Sequence, residues 1–281
     1  MKKIPAGRVI TAAYRFVLRD RTTLARLLFL PVFVIVLAPY LLDFLRALPL
    51  LTLPELARER PVLVYFVPFI LVLVTVLVSI VLAASIVLQH VLLVPETGVP
   101  ARYCFGRDEW RLAKATVWYL LLLILVGALG AALGYGIGIT LENFAPDSAF
   151  AWENMPLHAA VVCGILGLLY PMIAIGILLY PMVLFEKNSG IRFTCSWSEG
   201  NLWPLSIIFL ATSAPFWAVW FSTGWMSGQW LFPLSEIADI GFLIVSGTVI
   251  GIFGYSLVFV ASAFAYESLL PDESDTPISE T

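Results

Sequence analysis

Six long apolar stretches constrain the fold of this chain more than any other feature of its sequence. Each contains roughly 20 or more mainly apolar residues, the length that an α-helix needs to cross a bilayer. Lipid offers the backbone no hydrogen-bond partner, so a helix, which closes its hydrogen bonds internally, is predicted for every stretch. The stretches are approximately Leu24–Leu45, Pro61–Val94, Ala113–Ile139, Leu157–Phe185, Leu202–Phe221 and Ile237–Tyr266.

The composition agrees with lipid as the main solvent. Of the 281 residues, 60% are hydrophobic and 12% are charged, whereas a soluble domain has about a quarter charged residues. So few charges cannot cover a globular surface of this size with polar groups. We therefore predict an all-α polytopic membrane helix bundle, in which residues 24–266 form six transmembrane helices arranged as three hairpins.

The distribution of lysine and arginine predicts the orientation. The amino terminus and the loops at 95–115 and 186–201 hold 13 of the 16 basic residues, and the opposite side holds only Arg46, Arg58 and Arg60. Basic residues concentrate on the cytoplasmic side of membrane proteins. We therefore expect a multi-pass protein of a bacterial inner (plasma) membrane with both termini in the cytoplasm. Residues 267–281, which are acidic, are predicted to form a disordered cytoplasmic tail.

Residues 1–23 are predicted to form an interfacial amphipathic helix. Four arginines recur at steps of seven, four and seven, which places them on one helical stripe: Arg8, Arg15, Arg19 and Arg26. A basic amphipathic helix of this kind can rest on anionic lipid headgroups. The alternative is that the stripe only sets the topology. The apolar residues that lie largely away from the stripe are Ile10, Tyr14, Val17 and Leu18.

Glycines recur at four-residue steps in two of the predicted spans. Gly130, Gly134 and Gly138 lie in the third, and Gly247 and Gly251 lie in the sixth. Small residues at this spacing let two helix backbones approach closely. We expect them to pack helices within the chain, with a homo-oligomer face as the alternative.

Three prolines are predicted to kink their helices. Pro68 lies in the second stretch, and Pro171 and Pro181 lie in the fourth. Each proline removes one backbone donor and bends the helix that contains it. Broken helices line the central site of many transporters, although the same kinks also serve packing alone.

Polar residues gather at the cytoplasmic end of the second stretch. Gln89, His90 and Glu96 are expected to face the basic loop that carries Arg107 and Arg111. One interpretation is a site for lipid headgroups or for a protein partner at the membrane surface, and the other is a hydrogen-bonded helix end. The candidate lipid- or partner-binding residues are Arg15, Arg19, Gln89, His90, Glu96, Arg107 and Arg111.

The sequence carries no recognisable catalytic, metal-binding or nucleotide-binding motif. Neither a G-x-S-x-G elbow nor a G-x-x-x-x-G-K-[ST] loop occurs, and the two histidines have no cysteine or carboxylate at ligand spacing. No carboxylate is evident near the middle of a span, which counts against an ion-coupled pump. We therefore expect no enzyme activity, no cofactor, no metal and no nucleic-acid partner.

Three cytoplasmic segments carry a resemblance to a known group. The segments Gln89–Glu96, Gly106–Arg111 and Ser196–Trp203 resemble the inner-side signatures of a group of uncharacterised bacterial six-span inner-membrane proteins. More loosely, the layout is similar to the membrane domain of some glycerophosphoryl diester phosphodiesterases. The resemblance implies a fold and a membrane location rather than an activity, because the phosphodiesterase chemistry belongs to a separate soluble barrel, which this sequence does not contain.

The sequence therefore predicts an integral membrane protein that is a non-enzymatic scaffold or binds lipids or a protein partner. Its expected partners are anionic headgroups at the cytoplasmic face, with a homo-oligomer or another membrane protein as the alternative. A second function is a transporter of a small or lipidic solute. A third, an intramembrane enzyme, requires polar side chains that converge in one pocket.

Overall fold

A computed structural model describes residues 3–47, 67–93, 106–144, 172, 175–186, 194, 198, 200–229 and 236–270. Within these ranges the ordered elements are helices, and no strand occurs among them. The prediction of an all-helical bundle is therefore confirmed for the described part of the chain. Glu96, Pro171, most of the fourth apolar stretch and residues 271–281 lie outside it.

The helices follow the apolar stretches closely. Helix α5 covers only the carboxyl-terminal part of the fourth stretch, because the residues before it lie outside the described ranges. Helix α3 continues into a π-helical turn, Gln89–Leu93. The helices are α1 Ala6–Arg19, α2 Arg21–Ala47, α3 Val67–Leu88, α4 Arg107–Phe144, α5 Ile175–Phe185, α6 Leu202–Gln229 and α7 Glu236–Glu267.

Five of the described helices are long and apolar enough to cross a membrane: α2, α3, α4, α6 and α7. Their outer surfaces are apolar as well. On α4, Trp118 is 66% exposed and Ile124 is 68% exposed, and on α7 Val245 is 65% exposed. Soluble proteins rarely present large continuous apolar surfaces to water. The five helices therefore have the length and the surface that a membrane protein needs.

Helix α7 lies at the centre of the described bundle, where it packs against α1, α2, α3 and α6. Its glycines permit this close packing. A Cβ atom added to Gly251 would lie 2.7 Å from Cγ1 of Val32 on α2, and one added to Gly254 would lie 2.5 Å from Cδ2 of Phe216 on α6. Gly247 is also buried, as is Gly130 on α4. Only helices without side chains at these points can approach so closely.

Two of the prolines predicted to kink their helices, Pro68 and Pro181, occupy different positions along those helices. Pro68 lies in the first turn of α3, where a proline removes no intrahelical hydrogen bond. Pro181 lies in the interior of α5 and is buried. Three more prolines lie inside helices and were not among the predicted kinks: Pro31 and Pro39 in α2 and Pro215 in α6.

Helix α1 is amphipathic and packs against α6 and α7. Its buried face consists of Val9, Ala13 and Val17, at the four-residue spacing that aligns side chains along a helix. Arg8, Arg15 and Arg19 are on its exposed face, whereas Arg26, the fourth arginine of the predicted stripe, lies on α2 because α1 ends at Arg19. Leu18 differs from the sequence-based expectation, because its side chain is 58% exposed and does not join the buried face.

Candidate membrane-surface site

Hydrogen bonds join the helices at one end of the bundle, which we call the polar end. It contains the beginnings of α2, α4 and α6 and the ends of α3, α5 and α7. These termini are connected by side-chain hydrogen bonds that link His90 to Asp20, Gln89 to Glu109, Arg111 to Glu186, and Glu186 to Tyr266. The beginning of α6 joins the same end through Asn201, which binds the segment before α1.

Glu109 is the centre of a buried polar cluster at this end. Its side chain is only 3% exposed. Its Oε1 atom accepts hydrogen bonds from the Ser85 hydroxyl at 2.8 Å and from the Gln89 amide at 3.1 Å. Its Oε2 atom accepts one from the backbone N–H of Gly106 at 2.9 Å. Three donors therefore satisfy this buried carboxylate, as buried charges require.

The bond between Gly106 and Glu109 begins helix α4. The Gly106 carbonyl accepts the hydrogen bond of the Trp110 N–H at 3.1 Å, so Gly106 occupies the N-cap position. Glu109, three residues later, reaches back to the Gly106 N–H, as the glutamate of a capping box does. This spacing is visible in the sequence and was a signal for Glu109 that the sequence analysis did not use.

His90 faces a different neighbour from Gln89, because consecutive residues of a helix point in different directions. Its Nε2 atom lies 2.5 Å from Oδ2 of Asp20, which stands between α1 and α2. The His90 ring also packs edge-to-face on Phe16 of α1 at 6.1 Å between centroids. Burial alone would raise the pKa of Asp20, but hydrogen bonds with His90 and Thr23 outweigh it and lower that pKa.

Arg111 bridges α4 and α5. One guanidinium nitrogen donates to the backbone carbonyl of Glu186 at 3.2 Å, and the other lies 3.5 Å from the Asp108 carboxylate. The Glu186 carboxylate in turn accepts a hydrogen bond from the Tyr266 hydroxyl at 3.2 Å. Arg111 thus connects α4 to the ends of α5 and α7.

The amino-terminal segment is attached to α6 at two points. The Ile4 N–H donates to Oδ1 of Asn201 at 2.9 Å, and the Tyr14 hydroxyl donates to the Ala211 carbonyl at 2.8 Å. Asn201 is 1% exposed. It follows Gly200, whose φ of 76° is the left-handed conformation that glycine adopts readily. The Asn201 N–H donates to the Ser198 carbonyl at 2.9 Å, and this tight turn presents Asn201 to the amino terminus.

The predicted site residues thus fall into two groups. Gln89, His90 and Arg111 are engaged in contacts that join helices. Arg15 and Arg19 are exposed on α1. Arg107 is exposed at the beginning of α4, and Glu96 lies outside the described ranges.

Two grooves accompany the exposed arginines. A shallow surface groove on α1 is lined by Arg8, Thr11 and Arg15, together with Gly7 and Ala12. A second groove lies between α2 and α7, and Arg21 is the charged residue that borders it. Its walls are mainly apolar and include Leu24, Val249 and Phe253. A cation beside an apolar groove suits a molecule that has an anionic head and an acyl chain.

A third space lies inside the bundle between α3, α5, α6 and α7. It is an apolar cavity with aromatic walls, to which Tyr180, Phe216, Trp217, Tyr255 and Phe259 contribute. None of the described residues that line it is charged. In the described ranges, no three histidine, cysteine, aspartate or glutamate side chains are grouped so that they could hold a metal ion.

Comparison with known proteins adds no relative, because no family model, no curated protein and no solved structure matches this chain. The class of this protein is therefore judged from its fold alone. Within the described residues it is a helical bundle in which five helices have the length and apolar character to cross a membrane.

Proposed function

We propose that this chain is a multi-pass protein of a bacterial inner (plasma) membrane that has six helical spans and keeps both termini in the cytoplasm. It binds anionic lipid headgroups at the inner leaflet and catalyses no reaction. The observation that carries the proposal is helix α1. Its apolar face is buried against α6 and α7, and its exposed face carries Arg8, Arg15 and Arg19.

The polar end supports the six-span topology. The beginnings of α2 and α4 meet the ends of α3, α5 and α7 there, which is the alternation that successive hairpins require. The charge distribution supports the orientation, because most lysines and arginines belong to segments at this end. The exposed face of α1 then meets the inner leaflet, where anionic lipids attract basic residues with about 1 kcal/mol per charge.

Headgroup binding rests on arginines that the fold leaves exposed. Gln89 and His90 join helices, whereas Arg8, Arg15 and Arg19 face outward. The groove beside Arg21 supports lipid binding further, because its apolar walls extend from a cation along α2 and α7. A phospholipid has matching chemistry, with a phosphate for Arg21 and an acyl chain for the groove.

The lipid composition of the purified protein tests this proposal. The triple variant Arg8→Gln, Arg15→Gln, Arg19→Gln removes three charges from α1. The triple variant Arg46→Gln, Arg58→Gln, Arg60→Gln removes the same charge from the side assigned to the periplasm. After mild solubilisation, mass spectrometry is expected to show a several-fold lower ratio of anionic to zwitterionic phospholipid in the first variant only. Equal ratios in both variants and the parent chain would overturn headgroup binding.

A reporter fused after Thr281 tests the orientation separately. Alkaline phosphatase is active only in the periplasm and a fluorescent protein of the common type folds in the cytoplasm. We expect fluorescence without phosphatase activity. The opposite result would reject the proposed orientation. It would not affect the lipid measurement, which tests headgroup binding independently.

The alternative function, a transporter, is favoured by the internal cavity. Its walls are apolar and aromatic, so it suits a lipidic solute better than a small polar one. The third candidate, an intramembrane enzyme, gains no support from Ser85, whose hydroxyl donates to Glu109 and whose side chain is 1% exposed. A buried hydroxyl that is already hydrogen-bonded to a carboxylate gives a substrate no access.

A further inference from the structure

The internal cavity lies near the middle of the helices that surround it. Its volume is about 290 Å³, and it is only partly enclosed. Ser213 and Tyr255, which both line it, lie about 16 to 18 Å along α6 and α7 from their polar ends, at a rise of about 1.5 Å per residue. That depth is about half of a hydrocarbon core of about 30 Å. If α6 and α7 cross a bilayer, the cavity therefore lies at the depth of the hydrocarbon core.

The walls of the cavity are largely aromatic rings in contact with one another. Phe259 stacks on Tyr255 at 5.9 Å between centroids and meets Tyr180 edge-to-face at 5.5 Å. Phe216 meets Trp217 edge-to-face at 5.1 Å. Aromatic rings prefer offset-stacked and edge-to-face arrangements. Walls of this kind favour a flat ring over a flexible acyl chain.

The hydroxyl groups that line the cavity are not equally engaged. The Ser213 hydroxyl donates to the Phe209 carbonyl at 2.7 Å, and Tyr180 is hydrogen-bonded to Thr116. The Tyr255 hydroxyl, in contrast, has no hydrogen-bond partner within the described ranges. A tyrosine hydroxyl away from water usually has a partner, and lipid supplies none. Of the hydroxyl groups that line the cavity in the described part of the chain, that of Tyr255 is therefore free to donate.

We propose that the cavity binds a flat, apolar, membrane-soluble ring that carries a hydrogen-bond acceptor, as a quinone does. The ring packs between the aromatic walls, and the Tyr255 hydroxyl donates to its carbonyl oxygen. The ligand enters laterally from the bilayer. This site is separate from the exposed arginines of α1, so it does not depend on headgroup binding.

The test uses the full chain in nanodiscs of zwitterionic phospholipid, with tritiated menadione as the probe and empty nanodiscs as the background. Unlabelled 2-methylnaphthalene has a similar ring system but no carbonyl, and its affinity is measured by competition. We expect saturable menadione binding by the parent chain. Tyr255→Phe, which removes only the hydroxyl, should weaken menadione about three- to tenfold and leave 2-methylnaphthalene unchanged, because one neutral hydrogen bond is lost.

Two further variants keep the test decisive. Ser213→Leu places a larger side chain at the cavity and should abolish saturable binding of both compounds. Trp118→Phe alters an aromatic residue on the lipid-facing surface of α4 and should bind like the parent chain. Binding that never saturates, or equal menadione affinity in the parent chain and Tyr255→Phe, would overturn the proposal. The triple α1 variant should bind menadione normally, whether or not it has lost its anionic lipid.

Discussion

His90 and Asp20 lie 2.5 Å apart, Nε2 to Oδ2, and this contact joins the π turn of α3 to the junction between α1 and α2. The two residues are 70 positions apart in the chain. The interaction is reinforced by the edge-to-face packing of His90 on Phe16. A helix that carries the proposed lipid-binding surface is thus fixed to the second predicted span.

Removal of the Asp20 charge should weaken this junction. We expect Asp20→Asn to lower the free energy of unfolding by about 1 kcal/mol, as for a partly exposed, charge-assisted hydrogen bond. Thermal unfolding of the purified protein in detergent measures the effect. Asp108→Asn is the matched control, because the Asp108 side chain is 61% exposed and lies 3.5 Å from Arg111. Similar losses in both variants would contradict a special role for Asp20.

The same variant has a predictable pH dependence. The pKa of Asp20 in the folded protein is below its ordinary value of 3.8, which applies to the unfolded chain. A carboxylate with a lowered pKa stabilises the fold fully above its unfolded value, and this contribution is lost as the pH falls through the folded value. The parent chain should therefore keep its advantage over Asp20→Asn at pH 5 and lose it progressively below pH 3.8. An unchanged advantage at the lowest pH would contradict this assignment.

Glu109 should be one of the most sensitive positions in the bundle. Glu109→Ala leaves the donors of Ser85, Gln89 and Gly106 without their acceptor and should cost about 2 to 4 kcal/mol, because unsatisfied buried groups are expensive. Arg107→Ala, at an exposed position two residues earlier, should stay within about 0.5 kcal/mol of the parent chain. Thermal or denaturant unfolding in detergent compares them. Equal unfolding midpoints for Glu109→Ala and Arg107→Ala would contradict this role of Glu109.

Gly251 should tolerate no side chain while Val32 is present. Gly251→Ala places a Cβ atom 2.7 Å from the Val32 side chain and should cost about 1 to 3 kcal/mol by overpacking. The double variant Gly251→Ala, Val32→Ala should recover part of this loss. Gly241→Ala, which meets nothing within 4 Å on the same helix, should be neutral or slightly stabilising. Additive effects of the two α7–α2 substitutions would show that they do not interact.

The sequence was sufficient to predict most of the helices, because lipid forces every spanning segment to satisfy its own backbone. Helix α7, for example, begins and ends within one residue of the predicted stretch. Helix α4 begins six residues earlier than predicted, at Arg107, because Gly106 and Glu109 form a capping interaction ahead of the apolar residues. Hydropathy alone does not detect such a polar helix start.

The polar contacts were harder to predict. Glu109 stands between charged and aromatic neighbours in the sequence and resembles a solvated loop residue. Its burial depends on Ser85, 24 residues earlier. Asp20 likewise has its distant partner, His90, 70 positions later in the chain. Pairings between distant residues follow from how the helices pack, and periodicity within one helix carries no information about them.

The attachment of the amino terminus to α6 dictates an order of assembly. Ile4 binds Asn201 and Tyr14 binds Ala211, and in both cases the partners are 197 residues apart. At a synthesis rate of about 5 to 20 residues per second, α1 leaves the ribosome roughly 10 to 40 seconds before its docking partner exists. During that interval α1 lacks α6 and α7, the two helices that cover its apolar face in the folded chain. Helix α1 is therefore synthesised first but docks among the last. A docked α1 shows that α6 and α7 are already in place.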